Sequence, residues 1–144
     1  METTHSVMNQ VLVTLFNQIL RIEERSLSFP GLSIREVHVI EAVCEAEDTR
    51  MTALAQTLRV TTGSMSVAVS TLERKGYVQR VRRKDDRRMI DILPTEKALD
   101  IQAKHAAFHQ EMIDAVMDRL SPQQVDILAE ALTVVDSYFT SKEI

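Results

Sequence analysis

A chain of 144 residues is one domain's worth of sequence, long enough to bury a core. Its 44% hydrophobic and 26% charged residues exclude a disordered or fibrous polypeptide, and three Gly, three Pro and 4% aromatics favour a helix-dominated fold over a turn-rich β one. The net charge of −4 argues against a uniformly basic nucleic-acid binder.

The charge is unevenly placed. Between Glu73 and Arg88 stand eight basic residues against three acidic ones, leaving nine basic and eighteen acidic residues elsewhere. A basic island on an acidic body is the footprint of an element that contacts phosphate, although a solvated charged hairpin has the same composition. No apolar run approaches the ~20 residues needed to span a bilayer. The start METTHSVMNQVLV has neither a basic region nor a small-residue cleavage site, and Cys44 is the single cysteine. The expectation is a cytoplasmic protein with no signal peptide, membrane segment or disulfide framework.

From Ser6 to Ser28, apolar residues at Met8, Leu12, Leu15, Ile19 and Ile22 form a helical stripe, and Phe29 to Leu32 break it. Ser33 with Glu36 three residues on reads as a capping box for a helix whose inner face is Ile34, Val37, Ile40 and Cys44. Two short helices follow, about Thr52 to Leu58 and Thr62 to Lys75, and Gly76 ends the second. Tyr77 to Arg82 and Met89 to Leu93 read as two strands joined by the charged loop Arg83 to Arg88. Pro94 and Thr95 open a long helix to about Leu120. Ser121 caps the last helix, whose two apolar stripes are Val125, Leu128, Leu132, Val135, Phe139 and Ile127, Ala131, Val134, Tyr138. Two apolar faces on a terminal helix point to a homodimer through the first and last helices, or else to a place inside the chain's own bundle.

The informative run is Met51 to Val78. Leu54, Leu58, Met65, Val69 and Leu72 can close a small core between two helices, with Ala55 at their crossing: a helix-turn-helix pattern. At about 100° per residue, Gly63, Ser66, Val67, Ser70 and Arg74 then face away from that core, short enough to lie against base edges. Thr61, Thr62 and Ser64 sit at the helix start, where backbone N–H groups favour phosphate. The hairpin that follows makes the unit a winged helix. Arg87 or Arg88 at its tip suits the minor groove, and Asp86 is placed to orient Arg88.

The run from Leu54 to Ala98 resembles the DNA-binding core of the MarR family, with Asp86-Arg87-Arg88 as its wing signature and Lys75-Gly76-Tyr77 as its turn. Pro94 and Ala98 depart from the family's usual Leu and Gly. The resemblance implies a mainly α, winged helix-turn-helix fold: a DNA-binding lobe at 33–93 (helix-turn-helix about 51–75, wing 77–93) and a helical dimerisation region, 1–32 and 95–144, formed by the first and last two helices. It also implies a palindromic double-stranded operator.

Within that family, Leu15 to Leu27, His38 to Ala42, Val60 to Ser66 and His105 to His109 are similar to the FabT branch, repressors of fatty-acid synthesis. That branch implies a long-chain acyl group on acyl carrier protein as corepressor. Phe16, Ile19, Ile40, Phe108 and Met112, with His38, His105 and His109 near them, are the candidate pocket, and each fits plain core equally well.

Three competing readings remain. His105 and His109 stand at i and i+4, a spacing that suits zinc, and His38 or Glu24 would complete a site like that of a zinc-sensing branch of the family. Cys44 as a redox sensor is weaker than Cys44 as a buried thiol. A helical protein–protein adaptor is a reading of another class, which the basic island disfavours. The sequence has no Gly-rich phosphate loop or nucleophile elbow, and its one carboxylate pair of note is Asp85-Asp86 on the wing. No enzyme and no resident cofactor are expected.

Overall fold

The computed structural model describes residues 1–142. Six helices and one hairpin follow in the order α1 (Thr4–Ser26), α2 (Ile34–Glu45), α3 (Met51–Leu58), α4 (Thr62–Arg74), β1 (Val78–Arg82), β2 (Ile90–Pro94), α5 (Glu96–Met117) and α6 (Pro122–Lys142). Two compact units divide the chain, Met1–Phe108 and His109–Ile144.

Local chemistry sets most boundaries. Thr3 caps α1 by accepting the Ser6 N–H, so the helix begins two residues before the apolar stripe suggests. Ser33 and Glu36 form the expected reciprocal capping box on α2, at 3.2 and 2.9 Å. Arg59 ends α3 in the left-handed region, φ 56°, and its cap brings the Val60 N–H onto the Ala55 carbonyl. Gly76, φ +86°, ends α4: its N–H reaches the Glu73 carbonyl while that of Tyr77 reaches Leu72. This paired closure needs the left-handed backbone that glycine adopts without strain. α5 stops at Met117, short of Leu120, because the Arg119 and Leu120 N–H groups turn to carbonyls three residues back. Ser121 and Gln124 then cap α6 reciprocally.

β1 and β2 pair antiparallel from Val78 opposite Pro94 to Arg82 opposite Ile90. Each strand lies one residue later than the hydrophobic alternation places its start. The Ile92 N–H donates to the Thr49 carbonyl, and Arg50 bridges Asp91, so the α2–α3 connection runs along the outer edge of β2.

α2, α3, α4, the hairpin and the start of α5 enclose one core. Ile40, Val69 and Leu72 are fully buried, Leu54, Met65 and Ile92 are 1% exposed, and Tyr77 and Val78 close the hairpin side. Burying each of the larger side chains contributes about 1.5–3 kcal/mol. Ala98 and Ile101 of α5 belong to this core. The core therefore includes residues beyond 93, where the family resemblance ends the DNA-binding lobe, and the first unit takes in α1 as well. The Pro94 and Ala98 departures are accommodated: the Thr95 N–H bonds the Tyr77 carbonyl, Thr95 Oγ1 lies 2.7 Å from the Gly76 carbonyl oxygen, and Ala98 is fully buried.

α1 buries only Glu23, and Leu12, Phe16 and Ile22 stay 47%, 65% and 52% exposed. α6 buries no residue, and both predicted stripes present exposed members, among them Leu132, Val134, Tyr138 and Phe139. Among the described residues, no helix is long and apolar enough to cross a membrane.

Candidate nucleic-acid interface

α4 is built so that one face seals the core and the other stays open. Met65, Val69 and Leu72 recur at helical spacing and are buried, which phases the helix. Gly63, Val67, Ser70 and Arg74 lie exposed on the far side, as their spacing predicts, with Ser66 half-buried beside them. Val67, 68% exposed, is an apolar contact offered to solvent. Gly63 leaves the start of that face low: a Cβ there would approach only Thr61 Oγ1, at 3.9 Å.

The helix start differs from the expectation in one respect. Thr61 Oγ1 accepts the Ser64 N–H at 3.0 Å and donates to Ser64 Oγ at 3.0 Å. Thr61 is therefore spent on the cap, while the Ser64 hydroxyl keeps its proton, and with it the backbone N–H groups of Thr62 and Gly63 are what the helix start can offer an anion.

The wing carries its charge at the tip. Asp86 Oδ1 accepts the Arg88 N–H at 3.0 Å and faces Arg88 Nε at 3.4 Å, so the expected pairing forms. The Arg88 side chain is nevertheless 93% exposed. Arg82 donates to the Arg87 carbonyl at 3.0 Å and folds the tip, and Arg82, Lys84 and Arg87 line a shallow cationic depression with Arg83.

Two connections that the sequence does not advertise fix the wing. Arg80 on β1 reaches α4: its Nη1 donates to Glu73 Oε1 at 2.8 Å, its backbone N–H to Glu73 Oε2 at 3.1 Å, and its Nη2 to Ser70 Oγ at 3.0 Å. At the wing's root Arg83 holds Asp91, which also accepts the Thr49 hydroxyl at 2.8 Å. The bonds from Arg83 and Thr49 hold the Asp91 carboxyl below its usual range. On the α2–α3 loop, the Arg50 hydrogen bonds hold Asp48 at about 2. On the other side, Lys75 donates to Glu36 at 2.8 Å and to the Gly31 carbonyl at 2.7 Å, tying the end of α4 to the start of α2. Burial works to raise the Glu36 carboxyl, but the bonds from Lys75 and Ser33 outweigh it and leave it lowered.

The candidate effector residues differ in burial. Ile40 is fully buried in the lobe's core, on the face of α2 that packs on α3 and α4. Phe16 is exposed on α1, Ile19 and Phe108 are half-buried, and His109 and Met112 are half-buried in the second unit. A cleft of about 370 Å³ opens instead between α2 and the α3–α4 turn, walled by Val39, Leu58, Val60, Met65 and Ala68 with Arg35, Glu36, His38 and Ser64. Of the expected pocket residues it includes only His38.

The histidines gather around an acid the sequence reading missed. Glu23, not Glu24, is buried, and its Oε1 receives both His105 Nε2 and, at 3.3 Å, His38 Nε2. His105 Nδ1 faces Glu41 Oε2 at 3.3 Å. Burial works to raise the Glu23 carboxyl, but the hydrogen bonds from His105 and His38 and their charge hold it below its usual range. The network ties α1, α2 and α5 together. His38, Glu41 and His105 offer ligand atoms within 4.8 Å of one another and are the residues of this unit that could hold a cation. Cys44 is half-buried, and burial followed by the charges of Glu45 and Glu41 pushes its thiol up, away from the reactive thiolate a redox sensor needs.

Comparison with known proteins places this geometry. The family model described as MarR family matches residues 31–89. The HTH-type transcriptional regulator SarZ of Staphylococcus haemolyticus is 30% identical over 76 residues, 53% of this chain and 52% of that protein, so the chain spans about half the length of the curated relative it matches. The crystal structure of Streptococcus pneumoniae FabT in complex with DNA is similar at a TM-score of 0.89 and 31% identity, over 96% of this chain and 99% of that one. The S. aureus MepR–DNA complex shares the fold at a TM-score of 0.73 and 18% identity, over 95% of this chain and 99% of that one.

Proposed function

The chain belongs to the MarR family, and on that premise we propose that it is a transcription regulator that binds duplex DNA as a homodimer. α4 enters the major groove, Arg87 and Arg88 of the wing reach the adjacent minor groove, and the cationic tip supplies the phosphate contacts. The observation that carries the reading is the likeness, over nearly the whole chain, to a FabT solved on DNA. The exposed apolar residues of α1 and α6 support a second copy as their cover. Light scattering at micromolar concentration then gives twice the 16.3 kDa chain mass, and a folded monomer contradicts the assembly.

The effector reading is a repressor of fatty-acid biosynthesis genes, with long-chain acyl-acyl carrier protein as corepressor. Its support is the same likeness, together with the Glu23–His38–His105 network, through which a ligand that moves α1 or α5 is felt by α2. By linkage, a ligand that fits only the DNA-competent arrangement shifts the population toward it. Tenfold tighter DNA binding requires about 1.4 kcal/mol of differential affinity. The test is fluorescence anisotropy on a duplex from upstream of a fatty-acid synthesis gene, titrated with free and with long-chain acylated carrier protein. Tightening by the acylated form alone supports the reading. A flat response sinks it and leaves a family regulator of another signal.

Zinc is the second reading, favoured by the His38–Glu41–His105 cluster. It predicts loss of binding with chelator, recovery with zinc and indifference to acyl carrier protein.

A further inference from the structure

Ser70 sits on the outward face of α4, three residues before Glu73, and its hydroxyl oxygen accepts Arg80 Nη2 at 3.0 Å. The guanidinium cannot swing away easily. Its Nη1 is held by Glu73 Oε1, and the other oxygen of that carboxylate takes the Arg80 backbone N–H, so one acid fixes both ends of the residue. A serine hydroxyl has one proton to donate and two lone pairs. Here a cation occupies one lone pair, which disfavours a second donor and leaves the proton to give: Ser70 is set to donate to whatever faces α4.

We infer that Arg80 sets the polarity of Ser70, making it a specificity-determining residue that selects against cytosine on the strand it meets. In the major groove guanine presents N7 and O6, thymine O4 and adenine N7 as acceptors, whereas cytosine presents only an amino donor. A donating hydroxyl therefore finds a partner on every base but cytosine, where donor faces donor. The inference rests on the reading of α4 as the groove helix and adds what one position of it reads. Arg80, on the wing strand, does this as a positioning residue without touching a base.

The test is enrichment of binding sites from a randomised duplex library by the wild type, Ser70→Ala and Arg80→Lys. Circular dichroism confirms that each variant folds; Ser70 is exposed, and lysine keeps a charge opposite Glu73 while losing the fork that reaches Ser70. The wild type is expected to show one position per half-site depleted of C. Ser70→Ala and Arg80→Lys should both relax that position, by about fivefold in relative affinity for cytosine, and leave the other positions unchanged. If Ser70→Ala weakens binding uniformly with no change of base preference, Ser70 meets phosphate and the inference is overturned. If Arg80→Lys keeps the restriction that Ser70→Ala loses, the polarity does not come from Arg80, and that overturns it too. A wild type that enriches no sequence removes the groove assignment and the inference with it.

Discussion

Arg83 grips Asp91 with two parallel hydrogen bonds, Nε to Oδ2 and Nη2 to Oδ1, each 2.9 Å, across the root of the wing. A fork-to-fork pair of this kind fixes direction as well as distance. Thr49 adds a third bond to the same carboxylate, so the hairpin is anchored to the α2–α3 connection rather than standing on its own two strands. The wing tip can then present its charge outward while its base is held by this pair.

The anchor is acid-sensitive. The folded Asp91 carboxyl is held below its ordinary value, so its contribution is fully present above about pH 3.9, the ordinary aspartate value, and is lost as pH falls through the depressed folded value. Asp91→Asn should lower the thermal unfolding midpoint at pH 7, and the gap to wild type should close toward pH 2. A gap that stays constant over that range would show that Asp91 is not acting as a carboxylate.

Two substitutions on opposite faces of α4 separate packing from recognition. Leu72 is fully buried, and Leu72→Ala should cost about 2–5 kcal/mol in urea unfolding. Val67 is 68% exposed, so Val67→Ala should stay within about 0.5 kcal/mol of wild type while changing DNA affinity. A strongly destabilised Val67→Ala would mean that the helix is phased differently.

Cys44 should behave as packing and not as a sensor. With its thiol pushed up by burial and by two nearby acids, it should react with iodoacetamide at pH 8 several-fold more slowly than free cysteine. Faster reaction than free cysteine would restore the redox reading.

These particulars show which physics a sequence displays. Capping pairs such as Ser33–Glu36 and Ser121–Gln124 are local, so three-residue spacing is enough to find them. The helix-turn-helix and the wing are legible because burial imposes periods of 3.6 and 2 on the chain, with Gly76 between them. The features missed are pairings across space. Glu23 stands four residues after Ile19 and three after Leu20, on the inner phase of α1, but a charged run of Glu-Glu-Arg reads as solvent-facing and does not distinguish it from Glu24. For Ile40 the sequence leaves pocket and core equal, because an apolar residue looks the same beside a cavity and inside a core. The Arg80–Ser70 contact joins a strand to a helix ten residues away and leaves no periodic mark.

Whether α4 and the charged wing together hold duplex DNA is decided by anisotropy titration of a library-selected duplex from about 50 to 200 mM salt, comparing wild type with the Arg87→Ala, Arg88→Ala double variant. The expectation is two chains per duplex, with log affinity falling linearly with log salt, and a shallower slope and at least about tenfold weaker binding in the variant. Salt-independent binding, or a double variant that matches wild type at about 150 mM salt, would contradict it.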